Sequence, residues 1–168
     1  MANAREYMEF DFDPRKIPDT HALAVGRVSL CWTQTENIIE DVIAALARLS
    51  GTKGWAITSH MNFPMKCDAL LSVSGLTLDG EDQESLRLVI ARLKILSEAR
   101  NRYVHSYWAV HEGTGDIYIT AIKARGKLKA DHTKVALEDI ETTAASIYQV
   151  GIDLLDFILK RGIFPIEG

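Results

Sequence analysis

The stretch ARNRYVHSYW, Ala99 to Trp108, brings Arg100, Asn101, His105 and Tyr107 together at the end of a segment with helical periodicity. Reading backwards at about 100° per residue, Leu86, Val89, Ile90, Leu93, Leu96, Tyr103 and Val104 fall on one face. Arg100 falls near the middle of that face, and Asn101 and His105, four residues apart, stack along its edge. An unpaired charge buried on a core stripe costs several kcal/mol, roughly. Either an acid such as Glu36 pairs with Arg100, or this face lines a cleft.

Working outward, the rest of the chain reads as mostly helix. Residues 1–18 look irregular, with Pro14 and Pro18 as breakers. Asp19 or Thr20 can cap a long helix that reaches about Ser50, where Gly51 supplies the stop. In it Val25, Trp32, Ile39 and Leu46 recur every seven residues, with Val28, Val42, Ile43 and Leu49 beside them. Gly51 to His60 reads as a loop. A short helix fits Pro64 to Val73, capped by Asn62 and ended by Gly75, and residues 76–81 turn the chain. The motif helix runs from about Glu81 to His105. Residues 106–134 change texture: they alternate in places and hold a Gly-Thr-Gly-Asp turn, which predicts a small β-hairpin insertion. The last helix fits Leu137 to Lys160, with Ile140, Ala144, Ile147, Val150 or Gly151, Leu154 and Ile158 as its apolar stripe and Gly162 as its end.

The expected fold is therefore mainly α, an up-and-down helical bundle with a small β-hairpin before the last helix, in a single domain over 1–168. A chain of 168 residues is long enough to bury a core, and 47% hydrophobic with 25% charged residues is ordinary for a globular protein. A net charge of −4 gives no global attraction to nucleic acid, so RNA contacts would use local patches. Cys31 and Cys67 sit in apolar helical contexts, which predicts two reduced core thiols and a cytoplasmic setting. No apolar run is long enough to span a membrane. The histidines at 21, 60, 105, 111 and 132 have no metal-ligand spacing, so neither metal nor cofactor is expected.

Arg100-Asn101-Arg102-Tyr103-Val104-His105 resembles the R-(N/D/H)-x₃-H signature of HEPN domains, helical bundles of about this size that carry the signature near the end of a long helix. The order of helices is similar as well; the β-like stretch after the motif departs from a minimal bundle. The resemblance implies a metal-independent endoribonuclease of toxin or defence type, active as a homodimer, with Arg100, Asn101 and His105 as catalytic residues. Those residue types suit the chemistry. Histidine ordinarily titrates near neutrality and can move the protons of the 2′-hydroxyl and the leaving 5′-oxygen. The arginine fork matches the oxygens of a phosphorane, and asparagine can orient an imidazole or bond a phosphate. One chain supplies one set, and a two-fold dimer supplies two.

Continuing to Tyr107, the stretch reads R-x₄-H-x-Y. This is similar to HEPN toxins paired with a nucleotidyltransferase antitoxin, and there the resemblance makes Tyr107 an AMP acceptor. The plainer alternative is that Tyr107 starts the β-segment and packs with Trp108. Arg102, with Lys123, Arg125, Lys127 and Lys129 alternating through KARGKLK, could grip RNA phosphates; the alternative is a solvated strand face with Gly126 as a turn. A non-catalytic HEPN-like binding or scaffolding module is the competing function.

Overall fold

A computed structural model describes residues 9–124 and 128–166. Among these, the chain forms five α-helices and a four-stranded antiparallel sheet, so it is mainly helical with a small sheet before the last helix. The helices are α1 (Asp19–Leu46), α2 (Gly51–Thr58), α3 (Phe63–Thr77), α4 (Gly80–His105) and α5 (Leu137–Arg161). The strands are β1 (Phe10–Asp11), β2 (Tyr107–His111), β3 (Ile117–Ala124) and β4 (Leu128–Lys134), paired in the order β1-β2-β3-β4. No helix of the described residues is long and apolar enough to cross a membrane.

Contacts within the chain gather into two compact units. One holds the residues up to Leu30 together with Ser97–Ala145; the other holds Cys31–Leu96 with the chain from Ser146 onward.

The first unit carries the sheet. Residues 1–18 are expected to be irregular; 1–8 lie outside the described residues, and beyond them Phe10 pairs with His111 and Asp11 with Val110, adding an edge strand to the hairpin. A short 3₁₀ turn at Pro14–Lys16 follows, capped by the Asp13 side chain. The sequence hid this strand because two residues are too few to show alternation. Gly113 to Asp116 make the expected turn, in which Gly115 has φ +72° and its N–H donates to the His111 carbonyl at 2.8 Å. Tyr107 pairs with Thr120 and Ala109 with Tyr118, so these residues share one sheet face. Phe10 lies on that face and gathers its aromatic neighbours: it stacks on His132 at 4.6 Å between ring centroids and meets Tyr118 and His111 edge-on at 5.1 and 5.4 Å. On the opposite face Ile117 and Ile119 are buried, and the unit's helical residues Ala24, Val28, Tyr103, Ile140 and Ala144 are buried as well.

The second unit is helical, with a core of Ile39, Val42, Ile43, Leu70, Leu86, Ile90, Leu93, Val150 and Leu154 among others. Here two boundary expectations fail. α1 ends at Leu46, and Arg48 rather than Gly51 takes the left-handed turn, with φ 54°. Residues 51–58, expected as a loop, are helix α2, whose N-cap Ser50 accepts a hydrogen bond from the Lys53 N–H. Gly51 is expected to stop a helix yet starts one, and Gly54 within α2 is a packing residue. A Cβ there would lie 2.4 Å from the Ala44 Cβ, so only glycine permits this approach. Gly151 likewise lies against Thr35, whose hydroxyl donates to the Ile147 carbonyl at 3.3 Å. α3 extends past Gly75 to Thr77, while Asn62 caps it as expected, accepting from the Met65 N–H at 3.0 Å.

Neither Asp19 nor Thr20 stands before α1. The helix starts at Asp19, and the Pro18 carbonyl accepts its first bond, from His21 at 2.9 Å. α5 matches its predicted span, and Gly162, with φ 62°, follows its end.

Candidate functional site

All three motif residues lie on the last turns of α4, in the first unit. Arg100 is half-buried, while Asn101 and His105 are exposed. The guanidinium joins them: Nη1 of Arg100 donates to the Asn101 Oδ1 at 2.8 Å and contacts the His105 Nε2 at 3.0 Å. A guanidinium only donates, so Nε2 is the acceptor here, and the proton of the neutral ring sits on Nδ1. Helix phase explains the grouping. Arg100 starts from the inward face, and its long side chain reaches the edge where Asn101 and His105 stand one turn apart.

Asn101, Arg102, His105 and Tyr107 line an open groove of about 1150 Å³. Glu98 and Ser106 complete its helical side, and Thr120, Ala121 and Ile122 of β3 form its sheet side. Arg100 stands behind this lining, with its Nη1 at Asn101 and His105. The sheet side was not anticipated from sequence. The alternation in IYITAIKA, Ile117 to Ala124, marks a strand, but nothing in it tells which residues meet the end of α4. Thr120 is almost fully buried, and its hydroxyl lies 2.8 Å from the His132 Nδ1.

The acid suggested for Arg100 is engaged elsewhere. Glu36 lies 3.7 Å from Lys66, and Glu40 lies 2.6 Å from the same ammonium, which is itself buried. Tyr107 does begin β2, but Trp108 turns from it, because successive strand residues face opposite ways. The Trp108 indole N–H donates to the Tyr103 carbonyl at 2.8 Å, and Tyr107 is left 62% exposed. The basic stretch falls largely outside the described residues: Arg125 and Lys127 are not described, nor are the side chains of Lys123 and Lys129, whose backbones pair between β3 and β4. Among the described residues no group of three His, Cys, Asp or Glu side chains is placed to hold a metal ion. Cys31 and Cys67 are free thiols, and burial pushes the Cys67 thiol up to about 11.

The chain matches no family model, no curated protein and no solved structure.

Proposed function

We propose that the protein is a metal-independent endoribonuclease of HEPN type, acting as a homodimer in the cytoplasm. The observation that carries this reading is the Arg100 guanidinium held between Asn101 and His105 at an open groove. A phosphate entering the groove competes for the guanidinium and draws it from Nε2. The freed lone pair takes the proton of the 2′-hydroxyl, and the 2′-oxygen attacks phosphorus. The charge that develops on the phosphoryl oxygens is met by the guanidinium and by the Asn101 amide. The P–O5′ bond breaks, and the leaving oxygen takes a proton from the second copy's His105 in its imidazolium form, while the first copy's ring keeps the proton taken from the 2′-hydroxyl. Two copies thus provide the base and the acid that one imidazole cannot provide at once. A two-fold dimer through the α4 face that carries Arg100 would bring the two imidazoles into one cleft.

The exposure of Tyr107 beside His105 supports a control step in the same reading. A nucleotidyltransferase-type antitoxin would transfer AMP to the Tyr107 hydroxyl, adding bulk and negative charge where phosphate must enter.

Product analysis tests the chemistry. Fragments carrying a 2′,3′-cyclic phosphate and a 5′-hydroxyl, formed at the same rate with chelator, are expected. Fragments with 3′-hydroxyl ends, or loss of cleavage on chelation, would overturn it.

A further inference from the structure

The first unit holds a second hollow that the mechanism above does not use. Pro14, Ile17, His21, Ala22, Val25 and Trp108 line a pocket of about 280 Å³. Trp108 faces away from Tyr107 on β2, so this pocket lies apart from the groove. The Trp108 indole N–H is bonded to the Tyr103 carbonyl, so this wall is held in place and offers only its apolar ring. No Asp, Glu, Lys or Arg lines the pocket, and the charges of the adjoining 3₁₀ turn are paired, Arg15 with Asp13 and Lys16 with Asp11. The one polar side chain in the lining is His21. Its Nδ1 lies 3.5 Å from the hydroxyl of Thr20, which is not part of the lining, and its Nε2 has no partner among the described residues. Burial pushes the His21 imidazole below its ordinary range, so the ring is neutral at pH 7.

We propose that this pocket binds a small neutral aromatic molecule of two fused rings that carries one hydroxyl. Each part of that description comes from the lining. A dry apolar cavity of about 150 Å³ takes one benzene, and this pocket, at about 280 Å³, has nearly twice that room. The indole of Trp108 favours a flat occupant, since stacked rings gain more than the area they bury. A charged occupant sheds its water and meets no opposite charge. The lone imidazole sets the polar group. A neutral imidazole donates from one nitrogen and accepts at the other, and a hydroxyl answers either. In such a site the apolar walls hold the ligand and the single polar group fixes its orientation. The pocket stands whether or not the groove cleaves RNA.

Titration calorimetry of the full chain with 2-naphthol at neutral pH tests the proposal. Wild type should bind with a dissociation constant below about 1 mM, an ordinary affinity for a ligand of this size. 2-Naphthalenesulfonate, which has the same rings and a charge, should bind roughly tenfold or more weakly. His21→Phe, which keeps a flat ring and removes the hydrogen bond, should weaken 2-naphthol roughly fivefold. Ala22→Trp, at an exposed position of the lining, fills the pocket and should abolish binding. Circular dichroism checks that each variant is folded. No binding by wild type, equal affinity for the sulfonate, or undiminished affinity in either folded variant would overturn the site.

Discussion

At the scale of single residues, the account turns on Arg100 being held by neighbours on its own helix. Its guanidinium bonds Asn101 and His105, while Glu36 stands beside Lys66. The proposed role predicts that Arg100→Ala stays folded in denaturant unfolding yet lowers RNA cleavage by roughly 10²-fold or more. A stability loss above about 3 kcal/mol would mark a structural ion pair instead. Thiol chemistry offers an independent check on burial. Cys67 is 1% exposed, with its thiol pushed up to about 11, whereas Cys31 is half-buried. Iodoacetamide at neutral pH should label Cys31 first and reach Cys67 only on unfolding, as mass spectrometry of timed samples would report.

At the scale of elements, two helical glycines separate packing from propensity. Gly54→Ala puts a methyl 2.4 Å from the Ala44 Cβ and should destabilise by about 1–3 kcal/mol. Gly75 in α3 has nothing within 4 Å of an added Cβ, so Gly75→Ala should stabilise by about 0.5–1 kcal/mol. Urea midpoints of the two variants moving in the same direction would contradict this assignment. The same pair shows what was legible in the sequence. Long periodic stripes on α1, α4 and α5 located those helices, because a repeat sustained over about five turns or more outweighs local breakers. α2 was not legible, since its glycines signal a loop to any local reading and their reason lies in Ala44, ten residues earlier in the chain. β1 was hidden for a similar reason: its two residues are strand only because β2 offers an edge to pair with. The motif itself was readable from helix phase, which placed Asn101 and His105 one turn apart. The sheet side of the groove was not, because Thr120 and Ile122 reach it through strand register.

At the scale of the whole molecule, the proposed chemistry needs two copies of the chain, since one imidazole cannot act as base and acid in the same step. Sedimentation equilibrium should give a dimer at micromolar concentration. A wild-type monomer under those conditions would remove the second imidazole from the mechanism. The central claim is that His105 moves protons during RNA cleavage, and its most direct test is the cleavage rate of purified wild type beside His105→Ala on one single-stranded RNA. His105 is exposed at the end of α4, so the variant should unfold at nearly the same temperature as wild type. The account predicts a fall in rate of roughly 10²-fold or more, whereas undiminished cleavage by the folded His105→Ala protein would contradict it.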